Sequence, residues 1–234
     1  MLTKTEIAVA VGRTLFPMKV KSAKELGRTE NVLKVPGKDN KLGRVVTQGR
    51  WKGFRIFGMS LEERATCPTS CSHWGNCYGN NMPFATRYEV DEALLPRMQE
   101  ELAGLQRKYP SGFAIRLHIL GDFYSLAYVR FWREALELFP ALHVWGYTGR
   151  IDNTDPVHHA LAGLVRDQYD RFRIRWSGDL QSKQGALSYD DIGVPEMVTD
   201  KVAFLCPEQT GHTQSCGTCG ACWQSAKPVV FTTH

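Results

Sequence analysis

All seven cysteines of the 234-residue chain fall into two short clusters, and this grouping limits the fold and function more than any other feature. The first cluster has Cys67, Cys71 and Cys77, and the second has Cys206, Cys216, Cys219 and Cys222. Positions 78–205 hold no cysteine. Because metal sites gather their ligands on tight loops, three thiols plus four predict two metal sites.

Other uses of the cysteines explain the pattern less well. An odd number of cysteines and an N-terminus without a secretory apolar core disfavour disulfides. The second cluster suits either a 4Fe-4S cluster or zinc, since both accept four thiolates. For the first cluster, the favoured interpretation is a 4Fe-4S cluster on three cysteines with one open iron. The alternative is a Cys3His zinc site completed by His73.

Composition indicates an ordinary globular protein. Hydrophobic residues make up 43% of the chain and charged residues 23%. No run approaches the roughly 20 apolar residues that cross a bilayer, so we expect a soluble, cytoplasmic protein with no membrane contact.

Positive charge is concentrated at the N-terminus. Residues 1–50 contain eleven Lys or Arg and four Asp or Glu, a balance of +7, whereas the whole chain has +5 and the remainder therefore −2. Turn-forming residues at 36–40 indicate irregular structure. We predict a basic N-terminal arm or cap over residues 1–50 that could contact nucleic acid through its phosphates.

After this arm, strands alternate with helices. A β-rich run at 44–47 is predicted to form a hairpin with the first core strand. The predicted core strands are 54–59, 114–120, 142–147, 172–176, 202–205 and 229–232. The predicted helices are 91–109 and those that begin after Ser125 and after Asp155. Residues 178–200 give no clear pattern. This alternation predicts an α/β fold with a parallel sheet, either doubly wound or a full or partial barrel. The expected divisions are the arm (1–50), a βα-repeat core (51–205) and a cysteine-rich segment with the last strand (206–234).

Unusual polar residues follow each predicted strand. They are the first cysteine loop, Gly121-Asp122, Thr148-Gly149-Arg150, Ser177-Gly178-Asp179 and Cys206. Because the carboxyl ends of parallel strands meet at one edge, where ligands bind in such folds, we expect one composite site there.

The order of strand, cysteine loop, helix and Gly121-Asp122-Phe123 resembles the radical S-adenosylmethionine (SAM) superfamily, and most closely a small phage-borne branch of it. The resemblance covers roughly residues 50–225. It implies a partial (β/α)6 TIM-like barrel of parallel strands, with an irregular N-terminal cap and a C-terminal cysteine-rich segment.

The resemblance also implies roles for individual residues. Cys67, Cys71 and Cys77 would hold a 4Fe-4S cluster whose fourth iron is chelated by SAM. Gly121 and Asp122 would contact the SAM amino group, and Arg150 and Ser177 its carboxylate or ribose. The four C-terminal cysteines would hold an auxiliary cluster. Two differences from the family pattern stand out: the spacing is Cys-x3-Cys-x5-Cys, and Leu120-Gly121-Asp122 replaces Gly-Gly-Glu.

The expected function is therefore a radical SAM-like enzyme. It would take electrons from an external donor, cleave SAM and abstract hydrogen from a substrate, for which the basic arm favours a molecule related to nucleic acid. Two alternatives remain. One is an iron-sulfur protein for electron transfer, sensing or Lewis-acid chemistry without SAM, and the other is a zinc-bearing nucleic-acid-binding module.

Overall fold

The computed structural model of the protein describes residues 2–37 and 41–232. The helices and strands in chain order are α1 Lys4–Val11, β1 Val20–Lys21, β2 Arg55–Gly58, β3 Arg87–Tyr88, α2 Leu94–Lys108, β4 Phe113–Leu117, α3 Leu126–Leu138, β5 Leu142–Thr148, α4 Pro156–Asp167, β6 Phe172–Ser177, β7 Gly185–Ser188, α5 Val194–Thr199, β8 Phe204–Leu205, α6 Cys216–Cys219, α7 Ala221–Gln224 and β9 Val229–Phe231. Part of the turn expected at 36–40, residues 38–40, lies outside the described residues.

The core is one curled sheet of seven parallel strands in the order β2-β4-β5-β6-β7-β9-β8. A separate two-stranded parallel sheet joins β1 to β3. The expected parallel α/β architecture is thus confirmed. The run at 44–47 contributes one antiparallel bridge, Val45 to Arg55, at the predicted hairpin.

The three long helices α2, α3 and α4 cover one face of this sheet, which we call the outer face. Ser125 and Asp155 begin α3 and α4 as predicted, because their side chains accept hydrogen bonds from Tyr128 N and Val157 N. Apolar residues at helical spacing then meet the alternate residues of the strands, such as Ile115 and Val144.

The opposite face, which we call the inner face, carries the other half of the strand residues, those that alternate with the outer-face residues along each strand. Ala114 and Trp145 belong to a second buried cluster, with Trp51, which directly follows the N-terminal arm, and Trp223 from the C-terminal segment. This face is covered by the two ends of the chain, without a long helix.

The path from β8 to β9 explains why the C-terminal segment lies on the inner face. Strand β9 inserts between β7 and β8, so the chain reverses its direction across the sheet after β8. When the chain changes direction across the sheet in this way, the connection between the two parallel strands is right-handed only if it passes over the opposite face of the sheet. The cysteine-rich residues 206–224 are that crossover.

The N-terminal arm is more ordered than predicted. Residues 4–11 form α1, where Thr3 and Glu6 make a capping box, so the expectation of irregular structure is wrong there. Strand β7 and helix α5 lie in the stretch 178–200, whose sequence has no clear pattern.

The basic residues of the arm bind acidic residues of the core. Among the described residues, three ion pairs join the arm to the core, Arg13–Glu62, Lys24–Glu92 and Arg50–Asp170, and a fourth, Lys41–Glu208, joins the arm to the cysteine-rich segment. The charge asymmetry along the sequence therefore serves partly to attach the arm to the core. Contact with nucleic acid stays a prediction. Among the described residues, no helix has the length and apolar character needed to cross a membrane.

Candidate metal and cofactor site

The first cysteine loop follows β2 and lies over the carboxyl ends of β4, β5 and β6, the next three strands in the sheet. A side-chain carbon at Gly121, after β4, would lie 2.6 Å from Thr66 Oγ1. One at Gly149, after β5, would lie 3.7 Å from Cys71 Sγ, and one at Gly178, after β6, would lie 3.9 Å from Ser72 Oγ. The polar turns expected at one edge are therefore close to the cysteine loop.

Gly121 has a packing role of its own. Its φ of 84° is in the left-handed region, and the missing side chain lets the turn after β4 approach Thr66 closely. Thr66 Oγ1 in turn accepts a hydrogen bond from Asp122 N.

Two buried arginines, which no sequence pattern indicates, hold the cysteine loop in shape. Arg64, 3% exposed and with a left-handed φ of 63°, donates to Trp74 O, Asn80 Oδ1 and Arg13 O. These contacts tie the part of the loop between Cys71 and Asn80 to the N-terminal arm.

A second buried guanidinium, Arg87, forms a bidentate ion pair with Glu63 at 2.7 and 3.0 Å. The remaining donors of Arg87 bind the carbonyl oxygens of Gly79, Met82 and Ala85. Strand β3 is thereby fastened to the residues that directly follow Cys77.

Asp122 is buried and hydrogen-bonded within the protein. Its Oδ1 accepts from Phe123 N and Thr148 Oγ1, and its Oδ2 accepts from Gly149 N, each over 2.7 Å. Burial raises the pKa of Asp122 to about 6, although these hydrogen bonds act in the opposite direction. The carboxylate therefore fixes the turn after β5. Contact with SAM stays a prediction, for which Oδ2 keeps acceptor capacity.

Arg150 and Ser177 lie at the same edge with different surroundings. Arg150 Nη1 pairs with Asp155 Oδ2 at 2.7 Å, and its Nε donates to Phe123 O. Ser177, the last residue of β6, is half-buried. Their predicted roles toward SAM are neither supported nor opposed by these contacts.

An open depression of about 530 Å3 lies between α1 and the cysteine loop. Its wall includes Gly12, Arg64, Cys67, Thr69 and Trp74. Trp74 Nε1 donates to Val9 O, so the end of α1 is fixed beside this depression. A small ligand in it would lie next to Cys67.

The pKa values of the three thiols in the first cluster are raised. Burial raises the pKa of Cys67, Cys71 and Cys77, and the nearby Asp122 carboxylate adds to this effect at Cys67 and Cys71. Binding of a metal would therefore release protons from this site.

The second cysteine cluster lies on the inner face of the sheet. Cys216 and Cys222 pack beside the tryptophans of that face, and Cys206 packs near Tyr147. Electrostatic effects on their pKa values link Cys206 and Cys216 to Cys222, and Cys219 to Cys222. The four thiols thus lie near one another, and the metal that they would share stays a prediction.

Positive charge surrounds this second cluster. Arg116, Arg173 and Arg175 alternate along β4 and β6 and face the same side of the sheet as Cys222. In residues 2–37 and 41–232 none of the three has a carboxylate within ion-pair distance, and Arg173 Nη1 is buried without a partner. Burial, together with the positive charges of Arg175 and Arg50, lowers the pKa of Arg173 to about 10. In the described part of the chain, these three guanidinium groups therefore share one face of the sheet without a carboxylate to balance them.

The two cysteine clusters meet at the end of β5. Tyr147 donates a hydrogen bond to Cys222 Sγ, whereas Gly149, two residues later, borders Cys71. An extended chain covers about 7 Å in two residues, so the two clusters are neighbours across the end of one strand.

The donor chemistry fits thiolate-bound metal clusters. None of the seven cysteines forms a disulfide. Four thiolates around Zn2+ or a 4Fe-4S core in its oxidised state leave two net negative charges, which would balance buried guanidinium groups. In the described ranges, however, no three His, Cys, Asp or Glu side chains are gathered tightly enough to hold a metal ion. The fit therefore rests on donor type and charge.

Comparison with known proteins identifies a phage family. Residues 30–164 match the model of the family described as Gene product 88, and this range includes the first cysteine loop, Asp122 and Arg150. The Gene 88 protein of Mycobacterium phage L5 is 26% identical over 145 residues. That alignment covers 55% of this chain and 57% of the phage L5 protein.

No solved structure matches the chain. The phage-borne part of the resemblance seen in the sequence is confirmed, whereas the relationship to radical SAM enzymes stays a prediction. Since the family model covers more than half of the residues, the chain belongs to the Gene product 88 family.

Proposed function

We propose that the chain is a radical SAM-type iron-sulfur enzyme. Cys67, Cys71 and Cys77 would bind a 4Fe-4S cluster with one open iron. The observation that carries this proposal is the position of the first cysteine loop, which follows the first strand of a parallel sheet and lies at the edge where such folds bind ligands. We further propose that the sheet is a partial (β/α)6 TIM-like barrel, because β2, β4, β5, β6 and β7 are neighbours in sequential order.

The chemistry that the bound cluster and SAM supply is one-electron cleavage of SAM to methionine and a 5'-deoxyadenosyl radical, which takes a hydrogen atom from the substrate. In this proposal an external donor provides the electron. Asp122 Oδ2 orients the SAM ammonium group by a charge-assisted hydrogen bond. Arg150 and Ser177 bind the carboxylate or ribose, and the open depression beside Cys67 gives a small ligand access to the first cysteine loop.

We propose that the four C-terminal cysteines hold a second 4Fe-4S cluster. The inner-face arginines support this assignment, because buried cations require a compensating anion and the described part of the chain places no carboxylate beside them. A tetrathiolate zinc site would supply the same charge.

The test begins with anaerobic reconstitution and metal analysis. We expect about eight irons per chain, four for each cluster. Dithionite-reduced protein should then convert SAM to 5'-deoxyadenosine. Cys71→Ala should abolish that product and lower the iron content to about four. Ser72→Ala is the matched control, because Ser72 is the exposed neighbour in the same loop.

Two results would redirect the assignment. A colourless protein with zinc, whose metal is lost in His73→Ala, would indicate the Cys3His alternative. Fully loaded clusters without 5'-deoxyadenosine would favour an electron-transfer or sensing protein. The second candidate has one structural argument in its favour, since both oxygens of Asp122 already accept hydrogen bonds from the protein.

A further inference from the structure

Tyr147 donates a hydrogen bond to a sulfur of the second cysteine cluster. It lies on β5 and faces the inner side of the sheet, where its hydroxyl donates to Cys222 Sγ over 2.9 Å. The ring packs at its edge against Phe231, with the ring centres 5.5 Å apart. The phenol is therefore held in place from within the fold.

A guanidinium group covers the face of the same ring. The Arg116 carbon Cζ lies 4.4 Å from the ring centre of Tyr147, which is within the range of a cation–π interaction. From β6, Arg175 donates to Cys222 O at 3.0 Å and to the carbonyl oxygens of Ser225 and Lys227. The sulfur of Cys222 thus has a hydrogen-bond donor beside it and cations close by.

We propose that Tyr147, held by Arg116, is a positioning residue that raises the reduction potential of the cluster on Cys206, Cys216, Cys219 and Cys222. This inference rests on the proposed function, because it requires an iron-sulfur cluster at that site. One-electron reduction adds a negative charge to the cluster and its thiolates. A hydrogen bond to sulfur and a nearby cation stabilise the reduced state more than the oxidised state, so the potential rises.

The test isolates the second cluster. In a background with Cys67→Ser, Cys71→Ser and Cys77→Ser, the remaining cluster is titrated against a redox mediator series and followed by electron paramagnetic resonance. Tyr147→Phe removes only the hydroxyl and should shift the midpoint potential to a lower value. Tyr189→Phe is the matched control, since Tyr189 is 42% exposed and lies outside the inner-face clusters, and its potential should equal that of the background.

Substitutions of Arg116 provide an independent test if the Tyr147→Phe protein fails to load iron. Arg116→Met should lower the potential, and Arg116→Lys, which keeps the charge, should lower it less. Equal potentials in all loaded variants would overturn the role of Tyr147 and Arg116 while leaving the proposed enzyme intact. A background protein that carries zinc or no metal would overturn this inference and the second cluster, whereas 5'-deoxyadenosine formation by the unmodified chain is measured separately.

Discussion

His118 makes the folded state sensitive to acid. Burial, together with the nearby Arg116, lowers the pKa of this side chain to about 3. Its Nε2 contacts the hydroxyl of Tyr128, and its Nδ1 is buried without a partner. The imidazole therefore stays neutral in the folded chain at any ordinary pH, which agrees with a structural role.

The sign of the pH effect follows from this shift. Below the ordinary pKa of 6.5, His118 binds a proton in the unfolded chain, whereas in the folded chain it binds one only below about pH 3. The free energy of unfolding contributed by His118 is therefore fully present above pH 6.5 and falls as the pH decreases. At about pH 5 the loss is roughly 2 kcal/mol.

We therefore predict that His118→Gln weakens the dependence of stability on pH. Urea unfolding of metal-free protein at about pH 7 and about pH 5 should show a smaller decrease for His118→Gln than for the unmodified chain, by roughly 2 kcal/mol. His159→Gln is the control, because His159 is exposed. Equal decreases in all three proteins would contradict a buried neutral His118.

At the scale of elements, the buried Glu63–Arg87 pair determines whether the first cysteine loop keeps its shape. Both side chains are almost fully buried, at 1% and 0% exposure. Removing one partner leaves an unpaired buried charge, which typically costs about 3–5 kcal/mol. The pair between α3 and α4, Arg133–Asp167, is the natural comparison, since its side chains are 38% and 41% exposed.

We predict that Arg87→Met lowers the free energy of unfolding by about 3–5 kcal/mol, whereas Arg133→Met changes it by less than about 1 kcal/mol. Chemical denaturation of metal-free protein measures both. Arg87→Met should also reduce iron at the first site while the second site keeps its content. If the two variants lost similar stability, Glu63 would have to be satisfied by Thr14 alone, whose Oγ1 donates to it over 2.6 Å.

The elements that the sequence predicted are those with strong local signals. Helices α2, α3 and α4 have apolar residues at helical spacing, and α3 and α4 also have capping side chains, so their existence and nearly their bounds were predictable. Helix α1 was missed because it buries only Ala8 and so lacks an apolar stripe. Strand β7 was missed because its four residues, GALS, have little β-propensity.

The candidate site was predictable only in part. Each polar turn follows a strand, so the shared edge could be inferred before any side chain was placed. The supports at Arg64 and Arg87 depend on contacts between distant segments, which a sequence pattern does not reveal. One sequence pattern does indicate the cations of the inner face, namely the alternation Arg173-Ile174-Arg175 in a mostly apolar strand. The hydrogen-bond partners of these two arginines, however, come from the distant C-terminal segment.

At the scale of the whole molecule, both chain ends close the sheet. Trp51, directly after the arm, stacks on Trp223 from the C-terminal segment with ring centres 5.3 Å apart, and the ring centre of Trp145 on β5 lies 4.8 Å from that of Trp223. These rings pack beside Cys216 and Cys222. A metal that joins the four C-terminal cysteines would therefore fasten the segment that covers the inner face.

This arrangement predicts that metal loading stabilises the entire fold. A metal that binds the folded chain and not the unfolded one adds about 2.7 kcal/mol when its free concentration is a hundred times its dissociation constant. Tryptophan fluorescence during thermal unfolding should report a higher midpoint for the iron-reconstituted chain than for the metal-free chain. Cys219→Ser should lose the part of this increase that comes from the second site, and Cys71→Ser should keep it. An increase with zinc but not with iron that Cys219→Ser loses and Cys71→Ser keeps would assign the second site to zinc. Equal midpoints with and without either metal would show that apolar packing alone holds the crossover from β8 to β9 on the sheet.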